Sequence, residues 1–220
     1  MIPPTGRAID LSLPIRDGAP SFPGDPTCVI RPWATIGPDL ANLHQVTLGT
    51  HQGTHLDAPL HFLADGGPVD QVPIEALVGP AILVDLRHKA PRSTITVDDL
   101  ADVVIAPGDR LVLRMGWDRV LAEEPAAYFT DGPRLGEDAA RWLATKGLAV
   151  IGMDTPTPNP DAFVAVHQTL LHVGTVLVEA LSNLDALREG SFWLSAVPLR
   201  LEGLDGSPVR SFAVQPDREA

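Results

Sequence analysis

The sequence predicts a single strand-rich α/β domain, on three observations. Short apolar runs recur along the chain, several of five to eight residues and rich in β-branched side chains, as strands require. Far fewer segments carry a helical period. The 22 prolines and 19 glycines are scattered rather than gathered into one linker, so they punctuate many short elements of one unit. A length of 220 residues suits one domain spanning 1–220. An apolar content of 45% supplies a sizeable core.

Taken in chain order, strands are expected at Ile9–Ile15, Cys28–Ile36, Ala81–Arg87, Arg110–Met115, Leu148–Met153, Thr175–Glu179 and Phe192–Leu199. Three segments read as helices. "TVDDLADVV" opens on Thr96 with Asp99 three residues on, a capping-box-like start. Leu135–Lys146 puts Leu135, Ala139, Trp142 and Leu143 on one face, and Gly147 follows as a stop. Phe163–His172 is the third. "LVGP" at 77–80 and "IAPGDR" at 105–110 read as turns.

Charge narrows the partners. Against 28 acidic residues stand 16 basic ones, a net charge of −12, and no basic block appears. Such a surface repels phosphate backbones, so no nucleic-acid partner is expected. Cys28 is the single cysteine, which rules out an intrachain disulfide and a cysteine-based zinc site and points to a reducing compartment. "MIPPTGRAID" lacks the basic and apolar regions of a secretory signal. Runs such as "AILVDL" and "LAVIGM" are far too short to span a membrane. A soluble, cytoplasmic protein is expected.

The densest chemistry lies in "HQGTHLDAPLHF", His51 to Phe62, which holds three of the seven histidines. Spacings from His51 to His55, Asp57 and His61 are all even. In an extended chain His51, Gly53, His55 and Asp57 would therefore share one face, with Pro59 ending the strand and His61 just beyond. A helix would align His51 with His55 but turn Asp57 about 120° away. Imidazole and carboxylate suit zinc, manganese or iron(II). Two histidines and one carboxylate leave coordination positions open, as a catalytic metal needs. Gly53 would let the backbone approach closely, and Asp57 has a second oxygen with which to bridge to another metal.

Elsewhere the residues alone leave alternatives open. Glu179 ends an apolar run, where an unpaired buried carboxylate would be costly. On the residues alone the simpler reading is an exposed strand end for Glu179 and a loop cap for His167. His172 competes with His167. Asp154 is either a turn aspartate or a partner to a metal-bound histidine. His44 and His88 have no partners at useful spacing. No G-x-S-x-G elbow is present, and "DGGPVD" lacks the lysine of a phosphate loop.

"HQGTHLDAPLHF" resembles the H-x-G-T-H-x-D-x-P-x-H-F signature of the metal-dependent cyclase family, which includes bacterial kynurenine formamidases and isatin hydrolases. The likeness extends through "DLSLPI", "FPGDP", "PIEALVGPAILVDL", "LRMGW" (Met115 replacing a usual Thr), "VIGMDTPTPN" and "PLRLEGLDGSPVR", nearly the whole chain. The resemblance implies a compact swivelling β/α/β fold and two divalent metals, zinc or manganese. His51, His55 and Asp57 would hold one; Asp57 would bridge to the second, completed by His167 and Glu179. His61 would be the general acid/base of an amidohydrolase. The implied substrate is a small aromatic amide: an aryl formamide such as N-formylkynurenine, or else a cyclic amide or lactone of the isatin type. A metal-stabilised binding module without turnover is the competing class, and a free His61 beside the ligands speaks against it. Phe22 stands where the formamidase branch carries Trp; it can stack on an aromatic substrate but has no N–H to donate. A homodimer or larger homo-oligomer is also implied.

Overall fold

A nine-stranded sheet organises the computed structural model, which describes residues 5–216. The strands are β1 (Arg7–Asp10), β2 (Val29–Ala34), β3 (Leu43–Thr47), β4 (His55–Asp57), β5 (Val78–Asp85), β6 (Thr94–Ile95), β7 (Arg110–Arg114), β8 (Arg134–Leu135), β9 (Val150–Met153), β10 (Val176–Glu179), β11 (Gly190–Ser195), β12 (Gly206–Pro208) and β13 (Phe212–Gln215). The helices are α1 (Ile74–Leu77), α2 (Val120–Glu123), α3 (Pro125–Thr130), α4 (Glu137–Ala144) and α5 (Phe163–Leu171). Across the main sheet the order is β1-β13-β11-β5-β7-β9-β10-β4-β12; β2 pairs with β3 and β6 with β8 outside it. Residues 1–4, part of the stretch expected to carry no secretory signal, lie outside the described residues.

The centre of the sheet, β5-β7-β9-β10, is parallel. Its strands β7, β9 and β10 are buried at every position. That double burial is why they read as unbroken apolar runs rather than alternating ones. Leu111, Leu113, Ile151, Met153 and Leu177 project to one face, where they pack against Ala140 and Leu143 of α4 and Val166 and Leu170 of α5. Leu83, Val112, Val150, Val176 and Val178 project to the other, against Leu56, Leu194 and the loop residues Leu181 and Leu184. Antiparallel strands flank the parallel centre on both sides.

This is the mixed, strand-rich α/β fold expected, with corrections in detail. Each apolar run contains a strand, but β1 stops at Asp10; Ser12 makes only an isolated bridge to Leu181. The expected helix opening at Thr96 is a chain of turns. Asp99 does accept the Thr96 N–H and hydroxyl, at 2.7 and 2.9 Å. Bonds then close only three residues back, Leu100 to Val97 and Val103 to Leu100. The segment's Val and Asp residues are poor helix formers, so the cap forms without a helix behind it. "LVGP" is no turn either: Val78 begins β5 directly after α1. Gly79, at φ +152°, lies so close to Arg110 that an added Cβ would sit 2.7 Å from its guanidinium. Pro80 precedes the pairing with β7, which begins at Ala81, so its missing N–H removes no ladder bond there. α4 and α5 form where expected, slightly shortened; Leu135 belongs to β8 and His172 caps α5. Strands β3, β6, β8, β12 and β13 were not legible as strands.

Among the described residues no helix is long and apolar enough to cross a membrane.

The helix α5 is seated on the sheet by Leu170, which is fully buried. Leu170→Ala should lower unfolding free energy by about 2–5 kcal/mol, read by denaturant titration.

Candidate metal centre and active site

The register between β4 and β10 builds the site. Glu179 lies opposite His55 and Leu177 opposite Asp57. Cross-strand partners share a face, and so do residues two apart. His55, Asp57 and Glu179 therefore project to the side of Leu177, the face covered by α5. From α5, His167 comes down onto them. Its Nε2 is 3.1 Å from Glu179 Oε1 and 3.5 Å from Asp57 Oδ2. His55 Nε2 is 3.3 Å from Asp57 Oδ1 and 3.5 Å from Glu179 Oε2. All four residues are buried.

Main-chain carbonyls aim the imidazoles. His55 Nδ1 donates to the Gly53 carbonyl at 2.8 Å, and His167 Nδ1 to the Phe163 carbonyl, one helical turn back, at 2.7 Å. Each ring is left presenting Nε2 to the carboxylates, the tautomer a metal ligand needs.

His51 arrives by another route than expected. β4 is only three residues long, and Gly53 sits in the left-handed region at φ +65°. The four-residue alternation from His51 to Asp57 therefore does not exist. Gly53 serves the turn rather than a close approach: a Cβ there would make ordinary contact, 3.6 Å from Ile15 Cγ1. The turn still delivers His51 Nδ1 to 2.8 Å from Asp57 Oδ1. Pro59 ends the strand by opening a 3₁₀ turn, Pro59–His61, as Pro does at a helix start. That turn places His61 over His51, ring centroids 3.8 Å apart.

Asp205 completes this corner and sequence reasoning missed it. Its Oδ2 accepts from His61 Nδ1 at 3.2 Å and lies 2.9 Å from His51 Nε2, while Oδ1 accepts the Thr50 hydroxyl at 3.1 Å. The only local signal was a turn-like "GLDG". Gly206 beside it is obligatory, since a Cβ would lie 2.6 Å from His51 Cε1 and 2.8 Å from the Leu56 carbonyl oxygen.

Charge is concentrated here. Burial opposes protonation of His55 and His167, but the carboxylates of Asp57 and Glu179 beside them outweigh it and push both up to about 10. Burial likewise opposes the charge on Asp57, and the three histidines around it overcome that and hold it well below the usual carboxylate range. His51 is raised, with burial opposed chiefly by the hydrogen bond to Asp57. His61 is lowered, mainly by burial.

These residues fit a divalent cation. Asp57 Oδ2 is buried with no hydrogen-bond partner, a costly arrangement unless a cation meets it. Tetrahedral bonds of about 2.0–2.1 Å place ligand atoms about 3.3 Å apart; the His55, Asp57, Glu179 and His167 separations run from 3.1 to 3.5 Å. His51, Asp57 and His61 form a second convergent set. His51 also has a carboxylate within 3 Å of each ring nitrogen, and a neutral imidazole carries one proton for the two.

The other candidates fall elsewhere. His172 is exposed at the end of α5 and touches none of these groups. His44 and His88 are exposed. Asp154 meets no histidine. It is fully buried and accepts backbone N–H groups of Met115 (3.0 Å), Gly116 (2.6 Å) and Trp117 (3.3 Å), so it clamps the loop after β7. Burial pushes it up to about 7, against the pull of the Met115 N–H and with Asp118 adding to the push.

A cavity of about 380 Å³ opens onto His51, His61 and His167. Its walls are aromatic. Phe22 stacks on Phe163 (centroids 5.5 Å, planes 19° apart) and meets Phe129 edge-on at 5.9 Å. Outside that lining, Phe62 stacks on His167 at 4.2 Å.

Comparisons with known proteins agree with this geometry. Residues 9–160 match the family model described as putative cyclase. A kynurenine formamidase of Bacillus mycoides is 33% identical over 210 residues, 94% of this chain and 97% of that one. A solved structure described as a predicted metal-dependent hydrolase from Bacillus stearothermophilus is 30% identical, with a TM-score of 0.77 over 96% of this chain and 98% of that one. An isatin hydrolase from Labrenzia aggregata superposes with a TM-score of 0.85 over 96% and 94% of the two chains; at 24% identity the likeness is one of fold.

Asp154→Ala would strand three buried N–H groups. It should lower unfolding free energy by at least about 1–3 kcal/mol, measured by chemical denaturation, without loss of metal content.

Proposed function

The chain belongs to the putative cyclase family, and on that premise we propose that it is a metal-dependent amidohydrolase cleaving the formyl C–N bond of an aryl formamide, with N-formylkynurenine as first-choice substrate. One observation carries this reading: His55, Asp57 and Glu179 converge as a buried set of ligand atoms, with His167 Nε2 3.1 Å from Glu179 and 3.5 Å from Asp57, beside a cavity with aromatic walls.

Two sites for a divalent ion, zinc or manganese, are proposed. His51, His55 and Asp57 would hold one ion and Asp57, His167 and Glu179 the other. The split is supported by Asp57 itself, whose Oδ1 faces His51 and His55 while Oδ2 faces His167. A divalent ion so placed supplies Lewis acidity, polarising a carbonyl and acidifying water.

The chain's own groups do the rest. Phe22 and Phe163, stacked on each other, form one aromatic wall that flanks the aryl ring and orients the formamide toward the ligand cluster. His61, with Nδ1 committed to Asp205, presents Nε2 for proton transfer. It takes the proton that water loses on attack and returns it to the anilide nitrogen as the C–N bond breaks, releasing an arylamine and formate. Asp205 holds the ring orientation and supports the charge His61 carries between those steps. Phe22, lacking the indole N–H, leaves stacking as this wall's contribution. The isatin-type reading rests on likeness of fold and stands second.

We further propose one catalytic domain over 1–220, a cytoplasmic location and a homodimer or larger assembly, with neither nucleic acid nor membrane as partner. The hairpin β2–β3 supports the assembly. Trp33, Ile36, Leu40, Leu43 and Val46 are all exposed on it, and Trp33 is 72% exposed. A lone two-stranded hairpin is marginal in water and calls for cover.

Three outcomes test these roles. His61→Ala should retain its metal, by elemental analysis, and lose about 10²–10⁴-fold in kcat; loss of metal instead would make His61 a ligand. Glu179→Gln should lower metal content while His172→Ala leaves it unchanged. Trp33→Glu combined with Leu43→Glu should reduce the particle mass by light scattering, and an unchanged mass would remove the hairpin from the interface.

A further inference from the structure

We infer that the Thr54 hydroxyl is a positioning group of the metal centre, holding Ala180 in a left-handed conformation and so fixing where Glu179 stands against His55; this rests on the metal-dependent reading above.

The ladder between β4 and β10 pairs Leu177 with Asp57, Val178 with Leu56 and Glu179 with His55. The next pair in that register would be Ala180 with Thr54. The backbone pairing stops short of it, because Ala180 turns out of the strand at φ +53°. A residue with a Cβ is disfavoured there, and alanine has no polar side chain to compensate locally. The Thr54 hydroxyl holds it, donating to the Ala180 carbonyl at 2.5 Å. A side chain thus continues the ladder where the main chain leaves it.

Every N–H of Ala180–Asn183 is engaged as well. Ala180 donates to the Thr155 carbonyl at 2.9 Å, Leu181 to Met153 at 2.8 Å, Ser182 to Leu11 at 2.9 Å and Asn183 to Asp118 Oδ2 at 2.8 Å. Asn183 is left-handed too, at φ +59°, which asparagine tolerates. Alanine does not share that tolerance, so Ala180 is where the segment needs an outside hold.

The same hydroxyl accepts the Leu13 N–H at 2.8 Å, and Thr54 is buried. Its proton and a lone pair are therefore both engaged inside the protein. Leu13 and Ala180 each line the aromatic cavity. One buried oxygen joins that wall to the strand ends that carry His55 and Glu179. His55 Nε2 and Glu179 Oε2 stand 3.5 Å apart. A return of Ala180 to an ordinary conformation would redirect the chain leaving Glu179 and disturb that separation.

The experiment uses the full chain with Zn²⁺ or Mn²⁺ alone. Affinity is read by competition against a chelator and, independently, by the rise in melting temperature that the ion adds to the metal-free chain. A hydroxyl that only supports the fold would lower both melting temperatures alike and leave affinity unchanged. Thr54→Val, of nearly the same shape, should bind the ion about tenfold more weakly, and Thr54→Ser should stay within about twofold of wild type. Ala180→Gly removes the strain that the hydroxyl opposes. In that background Thr54→Val should weaken binding by less than about threefold. Equal affinity in wild type and Thr54→Val overturns the inference, as does Thr54→Ser binding as weakly as Thr54→Val. So does a loss of about tenfold in both backgrounds, since the hydroxyl then does not act through Ala180. Should Thr54→Val alone not fold, the comparison within the Ala180→Gly chains decides by the same limits. A wild-type chain that binds neither ion overturns the metal-dependent reading itself and this role with it.

Discussion

Everything at the metal centre depends on the antiparallel register of β4 on β10. Only with Glu179 opposite His55 and Asp57 opposite Leu177 do three polar side chains share the face that α5 covers. A slip of one residue would send His55 and Asp57 to the other side and bring Leu56, now in the apolar layer, under His167. The register is secured by the apolar pattern itself. Leu56 and Val178 must face one layer and Leu177 the other, and the parallel pairing of β10 with β9 ties that pattern to the middle of the sheet.

The polar cluster is costly for the fold. Seven ionisable groups lie buried or half-buried within a few ångströms, and carboxylates and imidazoles offset one another's burial only in part, since Asp57 Oδ2 keeps no hydrogen-bond partner. The surrounding construction works to hold them still. The sheet is apolar on both faces, Gly206 admits His51 against the backbone of β4, and Asp154 ties down the loop after β7 from inside the core. Such an arrangement makes sense where function, rather than stability, sets the residue at each position.

Much of this was legible in the sequence, for reasons that differ by residue. The parallel strands announce themselves because burial on two faces erases polar alternation. The candidate ligands His51, His55 and Asp57 announce themselves by crowding. The helix expected at Thr96 does not form because the Val and Asp residues behind its cap favour a helix poorly. The straight strand through His51 failed because Gly53 takes a left-handed turn that spacing alone conceals. His167 carried no local signal and Glu179 only an ambiguous one, a carboxylate ending an apolar run; a helix and a strand bring them together, and the resemblance is what pointed to both. Asp205 was invisible, because an acidic residue between glycines in a hairpin is what any turn looks like. Strands β12 and β13, of three and four residues, were too short to show an apolar run.

The carbonyl that orients His167 belongs to Phe163, whose ring also forms part of the aromatic wall. The two duties use different atoms of one residue. A main-chain oxygen survives any change of side chain, so the wall at Phe163 can be remodelled while the ligand beneath keeps its tautomer and aim. His55 is insulated in the same way by the Gly53 carbonyl. The chemistry of bond cleavage and the choice of molecule are thereby free to vary separately, and a lineage built on this frame can exchange substrates without rebuilding its reactive centre.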